Sequence, residues 1–315
     1  MKRTNILVLG ADGFIGSNLV KSLQKDEAYK IFTFDLFKNG VSKNINYFDD
    51  NLIMVHGNFL NKEDLKNALK NIDYVFHFIF LTTPGSSMND PLMDINTNIV
   101  GTINLLEECV KANVKRIIFS SSGGAIYGNE NKNIYTEEDT TNPISPYAIS
   151  KLAIEKYLEY FKINRGLDYL ILRYANPYGP GQNITGSQGI IPIFLNLIRQ
   201  NKPITIFGDG ENIRDYIFID DLINITRSLF LKETKHKIYN VGSGKGESIN
   251  KIVDIIAEVV KHKIIIENKP ARLIDVKKII LDTSRIVNET NYVLKISMEE
   301  GIKKTWDWIK SINIS

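Results

Sequence analysis

With 315 residues, 43% hydrophobic and 24% charged, the chain has ample material for a large globular core. Its 39 Lys and Arg against 36 Asp and Glu leave a formal +3 and no basic run, which argues against a nucleic-acid partner, and no apolar stretch approaches the ~20 residues of a membrane span. The single Cys109 excludes an internal disulfide, and a first apolar segment too short for a leader completes the expectation of a soluble, cytoplasmic protein. In chain order, Ile6 to Leu9 reads as a buried strand, followed by a glycine turn and a helix through Leu23. Lys30 to Phe34 is a second strand ending at Asp35, and Leu52 to Val55 a third. Lys62 to Lys70 forms a short helix, Tyr74 to Phe78 a fourth strand, Asn96 to Ala112 a long helix and Arg116 to Phe119 a fifth strand. A helix follows from Tyr147, and Leu167 to Leu172 is a sixth strand. Short, continuous apolar strands separated by helices predict a doubly wound α/β fold: a parallel, Rossmann-like sheet covered on both faces. After residue 176, Gly and Pro accumulate and the alternation becomes irregular. This predicts a dinucleotide-binding domain over 1–175, with 215–240 returning to it, and a smaller substrate-binding lobe from 176–214 and 241–315.

Gly10-Ala11-Asp12-Gly13-Phe14-Ile15-Gly16 lies between the first strand and the first helix. Glycines there permit a tight turn and close backbone approach to a pyrophosphate, with the N–H groups of the helix start, at Phe14 and Ile15, aimed at it. Asp35 ends the second strand, where a carboxylate binds an adenosine ribose and repels a 2′-phosphate, so NAD is the expected cofactor. Tyr147 and Lys151 stand at i, i+4 on one helix face. An isolated tyrosine is a poor base near neutrality, and a neighbouring ammonium favours its phenolate, which predicts a proton-transfer pair. The cluster Ser120-Ser121-Ser122 at the end of the fifth strand offers a hydroxyl to steer the reacting group toward Tyr147. The four histidines lack metal-ligand spacing, so no metal is expected; His77 and Cys109 read as core residues.

These motifs stand with Asn98 ahead of Gly101-Thr102, Ser121-Ser122-Gly123-Gly124-Ala125-Ile126-Tyr127-Gly128, Arg173-Tyr174-Ala175-Asn176-Pro177, Gly189-Ile190-Ile191-Pro192, Arg214-Asp215-Tyr216 and Tyr239-Asn240-Val241-Gly242. In that order, over nearly the whole chain, they resemble the extended short-chain dehydrogenase/reductases of the nucleotide-sugar epimerase/dehydratase type. The resemblance implies Ser122 as third catalytic member, with Ser121 as runner-up. It also implies cofactor contacts from Asn58, Phe59 and Asn98, with Asn58 standing where an acidic residue is usual. Asn176, Arg214 and Arg272 would hold a sugar diphosphate, for which the guanidinium fork is suited. Two departures are Ile79 and Phe80, where the family's segment after the fourth strand carries small residues. Gly123 and Gly124 replace the Asp-Glu pair of the dehydratases, and the segment is most similar to that of UDP-glucose 4-epimerases. The implied activity is NAD-dependent 4-epimerisation of a UDP-hexose, by a homodimer. The alternative is a 4-dehydrogenase or 4-keto reductase that uses the same Ser-Tyr-Lys set and releases its product.

Overall fold

A computed structural model describes residues 3–45, 50–128, 132–186, 188–271 and 276–312. The elements in order are β1 (Thr4–Leu9), α1 (Phe14–Leu23), β2 (Tyr29–Asp35), β3 (Leu52–His56), α2 (Lys62–Ala68), β4 (Tyr74–His77), α3 (Pro84–Asn89), α4 (Pro91–Asp94), α5 (Gly101–Lys111), β5 (Arg116–Ser122), α6 (Pro146–Arg165) and β6 (Asp168–Tyr174). Then come β7 (Asn176–Tyr178), α7 (Ile190–Arg199), β8 (Ile204–Phe207), β9 (Ile213–Phe218), α8 (Ile219–Leu229), β10 (Ile238–Val241), β11 (Gly246–Ser248), α9 (Ile249–Val260), β12 (Ile266–Lys269), β13 (Lys278–Ile279), α10 (Ser284–Thr290) and α11 (Met298–Ser311). The fold is the doubly wound α/β arrangement: a seven-stranded sheet in the order β10-β6-β5-β4-β1-β2-β3. β1 pairs in parallel with β2 and β4, β2 with β3, and β4 with β5. The order reverses direction between β1 and β4, the crevice where such sheets bind ligands.

The chain forms two compact units. The first comprises Met1–Ser122, Ser145–Arg173 and Thr226–Ile238; the second, Gly123–Ile144, Tyr174–Ile225 and Tyr239–Ser315. In this division the segments 123–144 and 215–225 group with the second unit. The first unit's core is one apolar cluster in which Leu7 and Leu9 of β1, Phe34 of β2, Val75 of β4, Ile117 and Phe119 of β5 and Ile171 of β6 meet Leu105, Cys109, Ile154 and Leu158 from α5 and α6. Cys109 is fully buried and burial pushes its thiol up, so it serves as an inert small hydrophobe. In the second unit, β11 and β13 flank β9, β7 also pairs with β9, and β12 pairs with β8.

The long helix expected from Asn96 to Ala112 is interrupted. Its first part, Ile95–Val100, is a π-helical turn, and regular α-helix begins only at Gly101. The widened turn accompanies two inward polar side chains, Asp94 and Asn98, both buried. No helix among the described residues is long and apolar enough to cross a membrane.

Candidate active site

Gly10 adopts φ +79°, a left-handed conformation that side chains disfavour. Gly16 is required for a different reason: a Cβ there would lie 2.1 Å from the Gly10 carbonyl oxygen. Gly13 caps α1 with no side-chain bond to the first helical N–H groups, and no acidic residue stands in the first turn. A cradle of this kind fits the pyrophosphate of a dinucleotide, because uncapped N–H groups and the helix dipole both favour an anion. Asp35 stands at the end of β2. Its carboxylate accepts from the backbone N–H groups of Asp12 (3.0 Å) and Leu36 (2.8 Å), which leaves further lone pairs for hydroxyl donors. Burial raises its pKa, and these two N–H groups draw it back.

The three remaining expected cofactor residues differ in what they offer. The Asn58 side chain accepts from Leu60 N–H at 2.9 Å. The Phe59 ring is buried against His77, with centroids 5.2 Å apart, so Phe59 offers only its backbone. Asn98 accepts from Leu81 N–H at 2.9 Å and donates to Thr82 Oγ1 at 2.9 Å and Asp94 Oδ1 at 3.1 Å.

Ser122, Tyr147 and Lys151 come together in the first unit, at the end of β5 and the start of α6. Ser145 caps α6 through Ala148 N–H, and Pro146 occupies its first turn; these fix where the helix begins and hence where Tyr147 points. Tyr147 N–H also donates to Ser87 Oγ at 3.1 Å. Burial pushes the Tyr147 phenol up to about 12; the nearby Ser122 hydroxyl opposes this, and the negative Asp94 adds to it. The sequence reading expects a lowered phenol, and here removal from water outweighs the help of its neighbours. Lys151 is 3% exposed and donates to the Ser120 carbonyl at 2.6 Å. Burial lowers its ammonium to about 7, while Glu155 and Asp94 hold it up. The Lys151 ammonium lies 5.7 Å from the centre of the Tyr147 ring, so phenol and ammonium share one site removed from water.

The two serines differ in what their hydroxyls do. Ser121 donates to Glu155 Oε1 at 2.5 Å, and the same carboxylate receives Arg173 through Nε at 3.1 Å and Nη2 at 2.7 Å. Ser121 is thus tied into a buried ion pair, whereas the Ser122 hydroxyl acts on the phenol, favouring its ionised form. The sequence reading missed Glu155. Its signal was a carboxylate at i+4 from Lys151, on the same α6 face as Ile154 and Leu158. His77 behaves as a core residue: Nε2 lies 3.0 Å from Thr102 Oγ1, and Nδ1 has no partner among the described residues.

In the second unit, Asn176 and Arg214 line one cleft of about 220 Å³ with Gly189, Ile190, Ile191 and Tyr216. Asn176 Nδ2 donates to the Asp215 carbonyl at 2.8 Å, and the Asp215 carboxylate is occupied by Ser243, Gly244 and Leu281. Arg272 lies outside the described residues.

Residues 6–242 match the model of the NAD dependent epimerase/dehydratase family. The chain is 31% identical to the UDP-glucose 4-epimerase of Mycolicibacterium smegmatis, over 97% of its length and 98% of the relative. Among solved structures, it superposes on the UDP-glucose 4-epimerase of Thermotoga maritima, crystallised with UDP-glucose, at a TM-score of 0.91 and 35% identity, covering 98% of this chain and 99% of that one. The Thermus thermophilus UDP-glucose 4-epimerase in complex with NAD gives 0.90 and 29%, with coverage of 98% and 99%. This chain belongs to the NAD dependent epimerase/dehydratase family and is an NAD-dependent enzyme of the extended short-chain dehydrogenase type.

Proposed function

We propose that the protein is a nucleotide-sugar 4-epimerase acting on a UDP-hexose, with Tyr147, Lys151 and Ser122 as its catalytic residues. The carrying observation is that Ser122 stands next to the Tyr147 phenol beside buried Lys151, its hydroxyl favouring the phenolate, while Gly123 and Gly124 follow where an elimination would need carboxylates. Gly10, Gly13, Phe14, Ile15 and Gly16 would hold NAD, with Asp35 toward its ribose and further contacts from Asn58, Phe59 and Asn98, and it would supply the means to take a hydride from the sugar carbon and return it. Tyr147 accepts the proton of the sugar O4 as that carbon is oxidised and returns it on reduction. Ser122 holds the same oxygen in line with the phenol. Lys151 supplies the positive charge that makes the phenolate accessible.

Asn176, Arg214 and Arg272 are the residues proposed to hold the nucleotide diphosphate. Binding energy collected at the diphosphate leaves the sugar without charged restraints, so the oxidised ring can turn and present its other face. The chain works as a homodimer. Ile149, Tyr157, Tyr160 and Ile163 make an exposed apolar stripe along α6, and Leu92, Ile95 and Val100 are exposed on the neighbouring α4–α5 segment. A second copy burying these faces is the simplest way to remove them from water.

The test is incubation of purified protein, without added cofactor, with UDP-galactose, UDP-N-acetylgalactosamine and their thymidine, guanosine and cytidine counterparts. The expected result is conversion to the 4-epimer with no net reduced cofactor. No epimer from any of them overturns the proposal, and stoichiometric NADH in its place makes the enzyme a 4-dehydrogenase.

A further inference from the structure

Phe80 is one of the two bulky residues in the segment after β4. Its ring lies edge-on to Tyr147, with centroids 4.9 Å apart and planes at 72°, and the Lys151 ammonium sits over its face, 3.9 Å from the centroid. Phe119 covers the same ammonium at 4.8 Å. Both are inside the ~6 Å within which a ring face attracts a cation, and the attraction grows when water is excluded. We propose that Phe80 is a positioning residue for the proton-transfer pair: its face retains the Lys151 ammonium and its edge fixes the Tyr147 ring. The inference rests on the reading of Tyr147 and Lys151 as that pair.

The Phe80 ring is held by a network that ties its loop to α6. Upstream, Phe78 N–H donates to the Leu9 carbonyl at 3.0 Å, and Ile79 packs over Gly10, where an added Cβ would meet Ile79 Cγ1 at 3.2 Å. Downstream, Leu81 N–H donates to Asn98 Oδ1, so the Asn98 amide N–H groups face Thr82 Oγ1 and Asp94. Having accepted from Asn98, the Thr82 hydroxyl donates its own proton to Asp94, as does the Ser150 hydroxyl. Asp94 is therefore an acceptor with three donors converging on it, and Ser150 immediately precedes Lys151. Shifting the 78–82 loop away from Lys151 would break this buried set, at a cost set by stranding its polar atoms.

The charged and titratable groups facing Lys151 are Glu155 and Tyr147 on α6, Asp94 at the end of α4 and His77 at the end of β4. The carboxylates favour the ammonium, and burial keeps His77 neutral. Phe80 adds to the carboxylates without adding charge, and it excludes water that would loosen the ammonium's position.

The test uses the NAD-loaded protein with its lysines labelled at the ε-carbon, read by NMR against pH. Lys151 is assigned as the signal lost in Lys151→Arg, and it titrates well below the others. Phe80→Leu keeps apolar bulk but removes the ring, and the Lys151 midpoint is expected to fall by about one pH unit. Phe80→Tyr keeps the face and leaves the midpoint where it is. If Phe80→Leu does not fold, Phe80 is replaced by pentafluorophenylalanine, which keeps the shape and weakens the electrostatic attraction; the same fall is expected. An unchanged midpoint in folded Phe80→Leu or in the fluorinated protein overturns the proposal, as does a Phe80→Tyr midpoint as low as that of Phe80→Leu. If the assigned reaction is wrong, the parent turns over no nucleotide sugar, yet the midpoint still moves on losing the ring.

Discussion

Neighbouring side chains of identical chemistry do different work here because of what each hydroxyl reaches. Ser122 stands by the Tyr147 phenol, whereas Ser121 completes the shell of the Glu155–Arg173 ion pair, whose two side chains are 2% and 5% exposed. Ser122→Ala is expected to lower kcat on the accepted nucleotide sugar by one to two orders of magnitude, with the melting temperature within a degree or two of the parent. Ser121→Ala is expected to do the reverse: kcat within severalfold, and a loss of about 1 kcal/mol of stability from one fewer donor to a buried carboxylate. Kinetics and thermal unfolding of both variants decide it, and a larger kcat loss in Ser121→Ala would exchange the roles. His77 carries a pH dependence. Burial, with help from the positive charge of Lys151, lowers its folded-state pKa from the ordinary 6.5 to about 3. The unfolded chain therefore takes up the proton first, so this contribution to stability is intact above pH 6.5 and lost as the pH falls toward 3. Between pH 7 and pH 5 the parent should lose about 2 kcal/mol more than His77→Gln in urea unfolding. Equal losses would mean that His77 is protonated in the folded protein.

At the scale of elements, the β1–α1 turn shows how a local pattern becomes a binding surface. Gly10 is needed for its backbone angle and Gly16 for the 2.1 Å that a methyl group would violate. The clash is with backbone, which has nowhere to yield without opening the turn. Gly16→Ala should yield protein lacking bound NAD, measured as nucleotide released on denaturation; full NAD occupancy would show that the turn can rearrange. The segment between β4 and α5 works differently. Its π-turn, two short helices and the Asp94 network depend on side-chain bonds between distant residues, such as Ser150 to Asp94, 56 positions apart. No hydrophobic period announces such a turn, which is why a single helix from Asn96 is the natural reading of the sequence.

For the whole molecule, the exposed apolar stripe on α6 is a surface that a lone copy would leave wet. Ile163 is 75% exposed and Leu92 72%, high values for residues of that kind. Light scattering on the parent should give twice the mass of one chain, and Ile163→Glu combined with Leu92→Glu should give the single-chain mass. A parent that is already monomeric would overturn the proposed dimer.

The sequence by itself determined what depends on neighbours along the chain: the alternation of the first six strands with helices, the glycine turn with Asp35, and Tyr147 and Lys151 on one helix face. Backbone sterics and helical periodicity act over a few residues, so they are legible in one dimension. Only the tertiary structure decided that Ser121 is tied to Glu155, that Glu155 and Asp94 flank the lysine, that Phe80 covers it, and that burial raises the phenol. Those outcomes depend on desolvation and on contacts between distant segments, and neither quantity exists until the chain has packed.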